Sequence, residues 1–88
     1  MRVVVIAKDN TEYSRSVETF IGDFVRQTGK NLETLDPESL EGISFCKTYD
    51  IVEYPTVIAL SDDGQIQNIW RGTALPTISE VSYYATSN

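Results

Sequence analysis

Tyr49-Asp50-Ile51-Val52-Glu53-Tyr54-Pro55-Thr56-Val57-Ile58-Ala59-Leu60 leads the chain out of one regular element, past a proline, and into another. Thr56 to Leu60 reads as a strand, Ser61-Asp62-Asp63-Gly64 as a turn with Gly64 at the position that needs positive φ, and Gln65 to Trp70 as the returning strand. An antiparallel hairpin follows. Pro55 suits the first position of a strand, where no amide donor is required.

Working back from the hairpin, Asp36-Pro37-Glu38-Ser39 combines an acidic N-cap with proline at the first helical position. Leu40, Ile43 and Cys46 or Lys47 then recur at helical spacing, which predicts a short helix ending near Tyr49. Asn31 to Leu35 is a weaker strand, placed more by its position in the order than by its composition. Before it, Tyr13, Val17, Phe20, Ile21, Phe24 and Val25 recur at three- and four-residue spacings, with Glu12, Arg15, Glu18, Asp23 and Arg26 on the other side. Asp9-Asn10-Thr11 supplies capping side chains for that helix, and Gly29 ends it in a left-handed conformation. Val3 to Ala7 is an uninterrupted apolar run, the pattern of a central strand buried on both faces.

Downstream of the hairpin, Gly72-Thr73-Ala74-Leu75-Pro76 breaks the chain. Thr77-Ile78-Ser79-Glu80 has the spacing of a capping box ahead of Val81, Tyr84 and Ala85, and predicts a last short helix. Thr86-Ser87-Asn88 is expected to fray. The order is βαβαββα. A right-handed crossover makes the first two strands parallel, so residues 1–88 are expected to form one α/β domain with a four-stranded mixed sheet flanked by three helices.

The composition narrows the function. Of 88 residues, 41% are apolar, enough for a core, and seven Lys plus Arg against thirteen Asp plus Glu leave a net charge of −6. Such a chain lacks the basic footprint that neutralises phosphates, so nucleic acid and anionic membranes are poor partners. Histidine is absent and Cys46 is the single cysteine. A His-containing triad, a Cys or Cys/His zinc site and an intramolecular disulfide are therefore excluded. Neither a calcium loop nor a placed carboxylate pair is seen, and Glu38, Glu41, Asp62 and Asp63 read as solvated acids. No metal is expected. The apolar run before Lys8 is too short for a signal peptide or a membrane span, and the expectation is a soluble, cytoplasmic protein.

The segment Tyr49 to Val57 resembles the stretch of the thioredoxin-like superfamily that leaves the second helix and enters the third strand through a cis-proline. Asp63-Gly64 in the hairpin and Gly72 after the last strand add to the likeness. Together with the apolar first strand they make the chain similar to the minimal, glutaredoxin-like form of that superfamily over nearly its whole length. The redox motif departs from the pattern. The resemblance places Thr11 and Ser14 where a C-x-x-C pair would stand at the start of the first helix, keeping Tyr13 between them; a shifted register pairs Asn10 and Tyr13 instead. Neither register holds a cysteine. A hydroxyl neither forms a disulfide nor ionises near neutrality, so dithiol–disulfide oxidoreductase activity is not expected.

The resemblance implies that Tyr54, beside a cis Pro55, offers its backbone to an extended peptide, and that this surface outlives the lost cysteines. The expected function is a redox-inactive module that binds a protein or peptide through Thr11, Glu12, Tyr13, Ser14, Tyr54, Pro55, Gly72 and Thr73. Tyr13 and Tyr54 suit partner contacts, whereas Trp70 is a groove or a core residue, because Ile69 and Trp70 point to opposite faces and one of them must be the inner one. No resident cofactor is expected. The alternative is a degenerate thiol oxidoreductase or glutathione-using protein. In that reading Lys8, three residues before Thr11, is an anion contact for a glutathione carboxylate, although Gly72-Thr73-Ala74 reproduces little of the family's glutathione pattern. Cys46 reads first as a small packed hydrophobe and otherwise as a redox-sensitive thiol. A third reading is a structural subunit docking by its acidic surface, and the sequence sets no oligomeric state.

Overall fold

A computed structural model describes residues 2–85. The elements are β1 (Arg2–Ile6), α1 (Ser14–Thr28), β2 (Glu33–Leu35), α2 (Leu40–Tyr49), β3 (Thr56–Leu60), β4 (Ile66–Arg71) and α3 (Ile78–Ala85). The fraying expected at Thr86-Ser87-Asn88 lies outside the described residues.

The sheet order is β2-β1-β3-β4, with β1 parallel to β2 and antiparallel to β3. Val3 to Ile6 are all buried, in keeping with a central strand. Because successive side chains of a strand alternate between faces, β1 and β3 each feed two cores. Val3, Val5, Val57 and Ala59 meet Val17, Phe20 and Phe24 of α1 and Val81 of α3 on one side. Val4, Ile6, Ile58 and Leu60 meet Leu35, Cys46 and Ile51 on the other. The sheet is thus covered on both faces. This disposes of the choice between Ile69 and Trp70, since each is half-buried against its own layer.

The hairpin closes through the Gly64 amide, which donates to the Ser61 carbonyl at 3.0 Å, and the Gln65 amide, which donates to Ser61 Oγ at 3.1 Å. Ala59 pairs with Asn68 but Leu60 with Ile66, so Gln67 is an extra residue on β4. At the parallel edge, the Arg2 guanidinium grips both carboxylate oxygens of Glu33, with Nε to Oε1 at 2.8 Å. α1 ends at Gly29, with φ 72°, whose amide donates to the Val25 carbonyl at 2.8 Å.

α2 departs from the sequence reading. Asp36 and Pro37 do not open the helix; they form a turn in which Asp36 Oδ1 accepts from the Glu38 amide at 2.8 Å. Ser39 is the N-cap, its hydroxyl accepting from the Gly42 amide at 3.0 Å. The buried face is Gly42 and Cys46, with Phe45 and Tyr49 packed alongside, whereas Leu40 and Ile43 are exposed. Gly42 explains the difference. A Cβ there would lie 1.8 Å from the Asp36 carbonyl oxygen, so the preceding turn presses against the helix at the one residue that permits it. α3 begins with the expected capping box: the Thr77 amide donates to Glu80 Oε1 at 3.0 Å and the Glu80 amide to Thr77 Oγ1 at 3.1 Å.

Candidate functional site: the cleft between helix 1 and the Tyr54-Pro55 turn

The loop from β1 to α1 is held by hydroxyl groups. Asn10 takes a left-handed conformation, φ 57°, which turns Asp9-Asn10-Thr11 away from the helix end. The N-cap is Tyr13, with no side-chain capping bond, so the capping role expected of residues 9–11 is not realised. Ser14, the first residue of α1, does the closing. Its hydroxyl accepts from the Thr11 amide at 2.8 Å, lies 3.0 Å from Thr11 Oγ1, and donates to the Lys8 carbonyl at 3.2 Å. A serine hydroxyl has one proton, and here it goes to Lys8, so Thr11 is the donor between the two hydroxyls. The Tyr13 hydroxyl accepts from the Lys8 amide at 3.0 Å, fixing its ring against the loop.

The facing wall comes from the approach to β3 and the exit from β4. The Tyr54–Pro55 peptide bond is cis. Thr56, fully buried, donates its hydroxyl to the Glu53 carbonyl at 2.6 Å, and the Gly72 amide donates to the Pro55 carbonyl at 2.8 Å. Gly72 has φ 85°, the left-handed region that favours glycine, and it faces the Glu53 carboxylate, an exposed side chain that can move aside. Among the described residues, neither the Tyr54 amide nor its carbonyl makes a hydrogen bond.

Between these walls lies a cleft of about 250 Å³, lined by Glu12, Tyr13, Ser16, Val17, Pro55, Thr73 and Leu75. Its floor is apolar, since Val17 and Pro55 are buried and Leu75 is half-buried. Glu12, Tyr13, Pro55 and Thr73 of the sequence-derived set therefore meet around one opening. Ser16, Val17 and Leu75 were missed as site residues. Helical spacing from Tyr13 would have found Ser16 and Val17, one turn further along; Leu75 sits among chain breakers and carries no comparable signal.

The other candidates lie elsewhere. The Tyr54 ring turns into the α2-side core, where burial and then the neighbouring Cys46 raise its phenol above the ordinary 10.0. Lys8 Nζ stands 5.4 Å over that ring. A second cleft, of about 260 Å³, has Lys8, Asp9, Ser14 and Glu18 around it and Val5 and Leu35 beneath. Cys46 is unpaired and buried in the α2-side core, away from the start of α1. Trp70 packs edge-on to Tyr84 at 5.7 Å and does not line the cleft beside Pro55. No group of His, Cys, Asp or Glu able to hold a metal occurs among the described residues, and no helix among them is long and apolar enough to cross a membrane.

This architecture is the thioredoxin fold. Among solved structures, thioredoxin 1 from the thermophilic eubacterium Thermosipho africanus TCF52B superposes with a TM-score of 0.66 at 19% identity, over 98% of this chain and 91% of that one. The solution structure of a thioredoxin from Thermus thermophilus gives 0.59 at 13% identity, over 96% of this chain and 70% of that one. No family profile and no curated protein matches the chain.

Proposed function

We propose that this thioredoxin-fold domain is a redox-inactive binding module that holds an extended segment of another protein in the cleft beside Tyr54-Pro55. The observation that carries the reading is the juxtaposition of an apolar-floored cleft with an unpaired backbone. The free Tyr54 amide and carbonyl supply what strand addition needs, main-chain bonds to a peptide. Val17, Pro55 and Leu75 supply the floor for one apolar side chain, with Tyr13 and Thr73 at its sides. Electron transfer between dithiols has no counterpart here, because the two positions at the head of α1 are hydroxyls that satisfy one another and the loop. The unpaired, buried thiol fits a reducing compartment, and we place the protein in the cytoplasm, without a resident cofactor.

The test is an amide NMR titration of the full chain with a set of unfolded peptides. Shifts confined to Glu12, Tyr13, Tyr54, Gly72, Thr73 and Leu75 are expected, and their loss in Leu75→Asp. Absence of shifts at these positions across the peptide set overturns the reading. Glutathione is the control ligand, and a response to it at the same residues in place of peptide would return the site to thiol chemistry.

A further inference from the structure

A second concavity, formed by the C-terminal helix and the edge strand, has a different chemistry. We propose that the cleft between β4 and α3, walled by Trp70, Tyr83 and Tyr84 and closed by Glu80 and Asn68, binds a quaternary ammonium group. Its volume is about 190 Å³. That is far more than the roughly 10–15 Å³ a single water needs by the same measure, and leaves room for a trimethylammonium head.

The Tyr84 ring stands at a steep angle to each of its two aromatic neighbours. Trp70 and Tyr84 meet at 71° with centroids 5.7 Å apart, and Tyr83 and Tyr84 at 89° with centroids 5.0 Å apart. Near-perpendicular rings make walls, and the electron-rich faces of such walls attract a cation whose own hydration is weak. A quaternary ammonium has no N–H to lose to water, so it is the cation that gains most from this exchange.

The fourth wall is a fixed negative charge. Glu80 Oε1 accepts from the Thr77 amide and from the Thr77 hydroxyl, each at 3.0 Å, so the carboxylate is set in place before any ligand arrives. Those bonds hold its carboxyl below the ordinary 4.5. Asn68 Nδ2 donates to the Tyr84 hydroxyl at 3.2 Å and orients that ring. No Lys or Arg lines the cleft among the described residues, so no side chain of the protein already fills the role of the cation. Tyr83 is 70% exposed and forms the open side.

Trp70 is the only tryptophan in the chain, so its fluorescence reports on this cleft directly. The experiment titrates the full chain at constant ionic strength with choline and with Nε-trimethyl-lysine amide. The uncharged isostere 3,3-dimethylbutan-1-ol and unmethylated lysine amide serve as controls. A saturable change is expected with the quaternary ligands, at least about tenfold tighter than with either control; the tighter of choline and trimethyl-lysine identifies whether a free metabolite or a modified side chain is the source. Tyr83→Ala and Glu80→Gln should each weaken binding about five- to tenfold with an unchanged circular dichroism spectrum. Equal responses to choline and its isostere, a change that never saturates, or unaltered binding in both variants overturns the proposal.

Discussion

Thr11 Oγ1 lies 3.0 Å from Ser14 Oγ at the head of α1, the Thr11 hydroxyl donating and Ser14 passing its own proton to the Lys8 carbonyl. Two side chains three residues apart thus close a loop by hydrogen bonding. The first helix of this thioredoxin fold opens on a bond between two hydroxyls.

That proximity makes the covalent version accessible. In Thr11→Cys/Ser14→Cys the two new thiols should pair intramolecularly on mild oxidation. Thiol titration in denaturant should then fall from three groups to one, the native Cys46. Each single variant should keep two. Three reactive thiols after oxidation of the double variant would show that the loop cannot bring the side chains into bonding geometry.

Gly22 and Gly42 both lie in helices yet should respond oppositely to alanine. Nothing stands within 4 Å of a Cβ at Gly22, so Gly22→Ala should stabilise the protein by about 0.5–1 kcal/mol through helix propensity. At Gly42 the new methyl would strike the Asp36 carbonyl, and Gly42→Ala should cost about 2–3 kcal/mol. Urea midpoints of the two variants, measured against the parent, check the sign of each.

The acid limb of stability rests on carboxylates whose values fall on folding. Arg2 lowers Glu33, the Thr77 amide lowers Glu80, and the Ser61 hydroxyl lowers Asp63. A depressed carboxylate contributes fully above its unfolded value, here 4.5 for the glutamates and 3.8 for the aspartate, and the contribution disappears as pH falls through the folded value. Thermal midpoints should therefore be level near neutrality and fall below about pH 4.5, with a shallower fall in Glu80→Gln. Tyr54 acts in the other direction: its raised phenol contributes below pH 10.0 and the contribution is lost above it. Tyr54→Phe should flatten the alkaline limb.

Cys46 should prove structural. Burying a serine hydroxyl in its place, among Val4, Ile6 and Ile58, should cost about 1–2 kcal/mol. Peptide-induced shifts at Tyr13, Thr73 and Leu75 should be unchanged in Cys46→Ser. Their disappearance in a folded variant would give the thiol a part in binding.

Local chemistry made much of the fold readable. Val3 to Ile6 and Val57 to Leu60 announce strands buried on both sides, and the Thr77/Glu80 capping box marks its helix in four residues. α2 was harder because the exposed Leu40 and Ile43 compete with an inward stripe of Gly42, Phe45, Cys46 and Tyr49 at the same helical spacing. Its orientation is decided by the approach of the Asp36 carbonyl to Gly42, a contact with no trace in helical spacing. The start of α1 departs for a related reason: Asp9, Asn10 and Thr11 are good caps by type, but Asn10 has positive φ, the N-cap is Tyr13 without a side-chain bond, and Ser14 closes the loop instead. At the candidate site, Glu12, Tyr13, Pro55 and Thr73 could be assembled by likeness to a family, whereas Leu75 joins them only through the path of the chain after β4.

The supernumerary Gln67 on β4 has a consequence for the protein in a crowded solution. β4 is a free margin of the sheet, six residues long, and an even margin of that length is a template on which another chain can add strand after strand. With Gln67 unmatched by any residue of β3, the spacing of outward amides and carbonyls along β4 is interrupted near its beginning, while the opposite margin, β2, offers three residues. Fibril growth from either side thus meets a template too irregular or too short to copy.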